Sequence, residues 1–508
     1  MKYHKRLLVG LIAVCLLLLH PLAFGLSLEG RVKEYSLDNG MKILILERHF
    51  APVVSLYMRF KAGSVDEPRG ETGTAHLLEH MLFKGTETLG TKDYKNEKKI
   101  LGQIDHLAGQ IDGEMKKEEK ADDKKITEWR ERLKALQKEH KKWVVKEEIN
   151  ALYARNGAEG LNASTGYDIT TYKVSLPANR IELWARIESD RMSNPVFREF
   201  YSEREVVREE RRQREETQPE GKLMENFLAT AFVAHPYGMP VIGWDSDIKY
   251  LKKRNLEQFF RNYYCPNNAV IAVVGDVDPD EVVRTIKNYF GGIPPQAIIP
   301  APVSEEPEQS GERRVEVEFE ASPQLMIGYH KPSLPHFDDY VFDVIDILLS
   351  DGRTSRLYKV LVEEKKIALS ISTANGLPGS RYPNLFTIFA TPRSPHTCDE
   401  LEEEIYTQID KLKKEVVTPY ELTKVKNRLE ASFIRSLNSN AGLASRLSYY
   451  QIVTGDWRYL EEHLTIIERV TPEDIMEVVS KYLIKENRTV AKIVKKKGSD
   501  EKASNEVE

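Results

Sequence analysis

The sequence predicts an α+β chain made of two homologous αβ domains, with a charged helical hairpin inserted in the first. Three observations predict it. The chain has 508 residues, 41% of them hydrophobic, more than one core normally organises. Two segments share one plan: "NLEQFFRNYYCPNNAVIAVVGDV" (255–277) and "TPEDIMEVVSKYLIKENRTVAKIVKK" (471–496) each read as an amphipathic helix with an aromatic end, a polar turn and a closing strand. Between them lies a Pro- and Glu-rich stretch, "GGIPPQAIIPAPVSEEPEQSGE" (291–312), with the character of a linker. The expected units are a first domain over 26–293, a linker over 294–312 and a second domain over 313–496.

Residues 1–25 combine a basic start, "MKYHKR", an apolar run, "LLVGLIAVCLLLL", and small residues Ala23 and Gly25 before Leu26. This is the pattern of a cleaved signal peptide, which implies a secreted or periplasmic protein. Cleavage removes Lys2, Lys5 and Arg6 and no acid, leaving 71 basic against 79 acidic residues, net −8. Such a balance argues against a nucleic-acid partner. Only Cys265 and Cys398 then remain, too few for a disulfide framework. No other apolar run approaches membrane-spanning length, so no membrane contact is expected after cleavage.

From residue 31, "RVKEYSLDNGMKILILERH" places an Asp-Asn-Gly turn between two alternating runs, as in a β-hairpin, and "VVSLYMRFKAG" reads as a third strand. The segment around His76 reads as a helix. From about 94 to 154, apolar residues recur at helical spacing (Ile100, Ile104, Leu107, Ile111, then Ile126, Trp129, Leu133, Leu136) on either side of the polar "KKEEKADDKK". A protruding helical hairpin is expected there. "GLNASTGYDITTYKVSLP" alternates as a strand does, and "NRIELWARIESDRMSN" and "FYSEREVVREERRQREE" read as helices. The tail, 497–508, is polar and expected to be disordered.

The chemistry is concentrated in "GTAHLLEHMLFKGT" (73–86). Residues four apart on a helix stand one turn above each other, so His76 and His80 project toward one point, the arrangement two imidazoles need to share a Zn²⁺ ion. Glu79 lies at the edge of the same face, placed to take a proton from an attacking water. A third ligand should come from elsewhere. Glu203 and Glu210, two turns apart on one face of the acidic helix, are the two choices the spacing leaves open.

The order His-x-x-Glu-His is the inverted form of the zinc-peptidase motif, and this segment resembles the zinc site of the pitrilysin-type metallopeptidases. That family includes insulin-degrading enzyme and the mitochondrial processing peptidase. "LNASTGYDITTYKVSLP", "EREVVREE", "HPYGMPVIG", "NYYCPNNAVIAVVGDVDPDE" and "LLSDGRTSRLY" match it in the same order, over nearly all of the mature chain except the charged hairpin and the tail. The resemblance implies His76, His80 and Glu210 as zinc ligands and Glu79 as the base. Glu203 becomes a supporting acid that assists proton handling or orients the site, and Glu209 is the fallback ligand if the register is off by one. Asn162 and Ala163 would lie on an edge strand that pairs with an extended peptide substrate. Manganese or cobalt are the alternatives to zinc for this donor set.

The resemblance also implies two such halves closing like a clamshell, of which this chain supplies one. The family usually carries an arginine and, seven residues later, a tyrosine after the "GRTSRLY" segment, to bind substrate and stabilise the oxyanion. Here the matching positions are Val362 and Leu369, and neither side chain donates a hydrogen bond. The expectation is therefore a zinc endopeptidase acting on peptides or short unfolded segments, completed as a heterodimer by a related subunit that lacks the zinc motif and supplies the pair. A homodimer is the other assembly. The rival function is a non-catalytic structural subunit, against which stands the joint presence of His76, Glu79, His80 and Glu210.

Overall fold

The computed structural model describes residues 28–297 and 303–495; the expected signal segment and the polar tail lie outside the described residues. β1 (Val32–Ser36) and β2 (Lys42–Glu47) form the antiparallel hairpin expected around the Asp-Asn-Gly turn. Gly40 closes that turn at φ +83°, a conformation that favours glycine. The Asn39 amide donates to the carbonyls of Phe290 and Ile293 at 2.8 and 3.0 Å, tying the turn to the far end of the first half.

After β3 (Val53–Phe60) come α1 (Thr74–Leu82), α2 (Tyr94–Met115) and α3 (Asp123–His140). The alternating stretch expected as one strand is divided. β4 (Glu159–Thr165) and β5 (Thr170–Pro177) form a hairpin whose turn is closed by Gly166 N–H donating to the Ile169 carbonyl at 3.0 Å. Gly166 and Asp168 are turn-forming residues whose signal the alternation on either side conceals. The half is completed by α4 (Ile181–Ser193), α5 (Phe200–Arg211), α6 (Pro219–Ala231), α7 (Lys253–Tyr263) and β6 (Ala269–Gly275). The six strands lie in the order β1-β2-β6-β3-β5-β4, with β6 parallel to β2 and antiparallel to β3. All seven residues of β6 are buried, because both faces of this sheet are covered. β4 forms one edge.

The second half repeats the plan. It runs through β7 (Arg313–Glu318), β8 (Leu325–Lys331), α8 (Phe337–Ser350), β9 (Ala368–Leu377), β10 (Asn384–Pro392), α9 (Asn440–Thr454), α10 (Pro472–Tyr482) and β11 (Arg488–Val494). The order β7-β11-β8-β10-β9 reproduces β2-β6-β3-β5-β4 strand for strand, including one parallel pair, β7 with β11. The two similar segments occupy equivalent places: α7 and β6 in one half, α10 and β11 in the other, each joined by a single 3₁₀ turn.

Each half lends a helix to the other's sheet. Leu443, Ala444 and Leu447 of α9 pack on the face of the first sheet formed by Leu44, Val270 and Ala272. Phe227, Leu228 and Ala231 of α6 pack on Met326, Ala491 and Ile493 of the second. Gly328 makes room for the Phe227 ring, since a Cβ there would lie 2.5 Å from it. At about 1.5–3 kcal/mol per buried large apolar side chain, neither sheet keeps its second covered face without the other half.

α2 and α3 pack through Leu107, Ile111 and Ile126, with Trp129, Leu133 and Leu136 at the margin. Most of α3 faces solvent; only Ile126 and His140 are buried. The base of the pair is pinned to the body by an ion cluster that composition does not reveal. Buried Glu97 accepts from Arg198 Nε and pairs with His140 Nε2, both at 2.8 Å, while Arg198 Nη1 donates to the Lys84 carbonyl at 3.0 Å.

Candidate metal centre

α1 is held by its apolar face, with Ala75, Leu77, Leu78, Met81 and Leu82 in the first core. Its N-terminus is satisfied by Glu67, whose carboxylate accepts from the amides of Gly73 and Ala75 at 2.9 and 2.7 Å. Gly73 sits at φ +88°, and a Cβ there would lie 2.5 Å from the Ile242 carbonyl. The helix start is therefore locked against the "HPYGMPVIG" segment.

From this helix His76 and His80 face α5, with ring centroids 4.7 Å apart. Glu210, in the last turn of α5, reaches both: Oε1 lies 3.8 Å from His76 Nε2 and Oε2 lies 3.5 Å from His80 Nε2. One donor atom from each of the three residues falls within 4.8 Å of the others. Ligands about 2.0–2.1 Å from a tetrahedral zinc stand roughly 3.4 Å apart, so this nitrogen, nitrogen, oxygen set fits zinc with little adjustment. Burial pushes the His76 imidazole down to about 3, helped by the charges of His80 and Arg214, which keeps it neutral as a ligand must be.

Glu203 stands behind the site. Its Oε1 lies 3.1 Å from His80 Nδ1 and its Oε2 accepts from Lys84 Nζ at 2.6 Å. This is the geometry of a carboxylate that fixes a ligating ring's tautomer and orientation. Burial would raise the Glu203 pKa, but the bonds from His80 and Lys84 outweigh it and hold the group ionised. Burial would also lower the His80 pKa, and Glu203 with Glu210 reverses that. Glu209 turns away, paired with Arg212 at 2.6 Å.

Glu79 opens onto the same cleft, where Thr165, the last residue of β4, donates to its Oε2 at 2.7 Å. Burial raises the Glu79 pKa above the usual carboxylate value, partly offset by the Thr165 bond. A carboxyl displaced toward neutrality suits a group that must accept and then release a proton. The cleft measures about 550 Å³, and Asn162 and Ala163 line it from the edge strand. Thr165, Lys84 and Arg214, whose guanidinium reaches Glu210 Oε1 at 2.9 Å, were not singled out by spacing or composition. A slightly larger cavity, about 650 Å³, lies between Ser64–Thr72 and α7; no histidine lines it, and donor chemistry rather than volume selects the site. Val362 is partly buried against the second core and Leu369 is 56% exposed on β9, so both stay apolar positions in the fold.

The fold and the site define a class. Residues 42–119 match the family model described as Insulinase (Peptidase family M16) and residues 250–429 match that of the Peptidase M16 inactive domain; the chain belongs to the M16, or insulinase/pitrilysin, family. The first match extends through α2. Among its relatives, the chain is 27% identical over 485 residues to the zinc protease PqqE of Helicobacter pylori, covering 94% of this chain and 96% of that one. It is 22% identical over 448 residues to the zinc protease YmxG of Bacillus subtilis, covering 87% and 94%. A crystal structure of a protease from Helicobacter pylori superposes with a TM-score of 0.76 at 26% identity, over 91% of this chain and 99% of that one. Two further likenesses show the fold alone. The periplasmic protease PqqL from Escherichia coli matches with a TM-score of 0.68 at 18% identity, over 93% of this chain but 48% of PqqL. A chain of Complex III2 from Candida albicans gives 0.67 at 14% identity, over 91% and 95%.

Proposed function

We propose that the chain is the zinc-bearing subunit of a metalloendopeptidase that cleaves peptides or short unfolded segments. The observation that carries this reading is the convergence of His76 Nε2, His80 Nε2 and the Glu210 carboxylate in one cleft beside Glu79. When bound there, zinc supplies Lewis acidity, polarising a carbonyl and making water acidic enough to lose a proton near neutral pH. Glu79 takes that proton as the water oxygen bonds to the peptide carbon, then delivers it to the departing amine nitrogen as the C–N bond breaks. Thr165 keeps the Glu79 carboxylate oriented through both transfers. β4 pairs with β5 on one side only, so its other side can receive an extended substrate backbone, with Asn162 and Ala163 at the contact. Backbone pairing favours broad sequence specificity.

The assembly follows from what is missing. Val362 and Leu369 supply no oxyanion donor, and loss of one such donor costs on the order of 10²–10³ in rate. A homologous partner subunit without the zinc motif would bring them. The amino-terminal pattern supports a secreted or periplasmic site of action. The same apolar positions favour a second reading, a non-catalytic subunit of a related assembly. Retention of all four site residues opposes it.

The deciding experiment is peptide hydrolysis by residues 26–508, zinc-loaded, with Glu79→Gln as the blank. Bound zinc with negligible turnover until a homologous subunit is added is the expected result. Robust Glu79-dependent cleavage by this chain alone would overturn the heterodimer, and failure to bind zinc would overturn the peptidase reading.

A further inference from the structure

We infer that the loop between β9 and β10, in the half that holds no metal ligand, is the clamp that sets the position of the cleft's edge strand, with Arg381 and Asp168 as positioning residues. The kinetic consequence of this inference rests on the peptidase reading above; the structural one does not.

β4 is bonded to a neighbour on one side only and contains an irregularity between Glu159 and Asn162. Its placement therefore depends on what holds its ends. The turn after it is gripped from both halves. Asp168, 5% exposed, accepts from the Tyr237 hydroxyl at 2.7 Å and from the backbone amides of Ser380 and Arg381 at 2.6 and 3.1 Å. The Arg381 guanidinium donates to the Asp168 carbonyl at 3.2 Å and bidentately to buried Asp66 at 2.9 and 3.2 Å. From the first half, the amides of Ser64 and Val65 donate to the carbonyls of Gly166 and Tyr167 at 3.2 and 2.9 Å.

The fit leaves no slack. A Cβ on Gly379 would lie 2.5 Å from the Tyr237 hydroxyl and closer still to Asp168. Three residues before Asp168 stands Thr165, the hydrogen-bond partner of Glu79, and Asn162 and Ala163 follow back along the strand into the cleft. Directional bonds from a buried bidentate pair fix orientation in a way that apolar packing of equal volume does not. The metal ligands, on α1 and α5, make none of these contacts, so the clamp governs the edge strand separately from the metal.

The test is hydrogen exchange on the zinc-loaded full-length chain, comparing wild type, Arg381→Ala, Arg381→Lys and Gly379→Ala. Arg381→Ala and Gly379→Ala are expected to speed exchange in residues 159–169 by at least tenfold, with residues 74–82 and bound zinc unchanged, and Arg381→Lys to recover part of the protection. In the active assembly the same variants should raise KM for a peptide about tenfold through the edge strand, and lower kcat as well through the Thr165–Glu79 bond, with Arg381→Lys recovering part of both. Unchanged exchange in 159–169, or an increase spread evenly over both halves, would overturn the clamp. A wild type without Glu79-dependent hydrolysis would overturn the peptidase reading and leave the exchange result to decide the clamp by itself.

Discussion

Glu79 and Glu203 show how two carboxylates near one histidine pair acquire opposite protonation tendencies from their surroundings. Glu79 faces the cleft with one hydrogen bond and a raised pKa; Glu203 faces His80 and Lys84 and stays ionised. Glu79→Gln is expected to lower kcat roughly 10²–10⁴-fold with zinc retained, measured by peptide hydrolysis beside metal analysis. Glu203→Gln is expected to weaken zinc affinity roughly 10–100-fold, read by competition with a chelator. His235 supplies a pH dependence away from the metal. Burial pushes it down to about 4, and its Nδ1 accepts from the Tyr237 amide at 3.1 Å, a bond that protonation breaks. The unfolded chain binds this proton below about pH 6.5 and the folded chain only near 4. The contribution is therefore complete above about 6.5 and lost as pH falls through 4. Urea unfolding between pH 7 and 4 should show His235→Asn, which keeps an acceptor, losing less stability than wild type. The His76–His80–Glu79 triplet was legible because helical periodicity is local; the Thr165 partner was not, because 86 residues separate it from Glu79.

At the scale of elements, α1 and α5 meet because each buries an apolar face in the same core, and the meeting brings Glu210 rather than Glu203 within reach of both histidine Nε2 atoms. Spacing placed both on one face; only the docking of α5 decides which turn of it stands opposite the histidines. The α2–α3 pair makes the same point. Its apolar stripe was readable, while its anchorage through Glu97, Arg198 and His140 was not, since residues from three separated segments converge there. Arg198→Met leaves Glu97 buried with one partner and is expected to cost about 3–5 kcal/mol, seen as a lowered urea midpoint. The alternating stretch 160–177 read as one strand because period-two patterning continues across a four-residue turn; the turn is where the edge strand and the second half meet.

At the scale of the whole molecule, the exchange of α6 and α9 makes two repeated halves one folding unit. Leu447→Ala in α9 is expected to cost about 2–5 kcal/mol, and because α9 covers the first sheet, tryptophan fluorescence and far-UV circular dichroism should report one coincident transition rather than two. Residues 26–293 expressed alone would expose the face of Leu44, Val270 and Ala272 and are expected to associate or precipitate.

The sequence by itself determined the repeat, the strand and helix types, and the placing of His76, Glu79 and His80 on one helix, because these rest on composition and on periodicities spanning a few residues. Tertiary structure alone decided which hydroxyl bonds Glu79, how each half covers the other's sheet and what holds the edge strand. Each of these is a contact between segments tens to hundreds of residues apart, and only packing brings such residues within hydrogen-bond range.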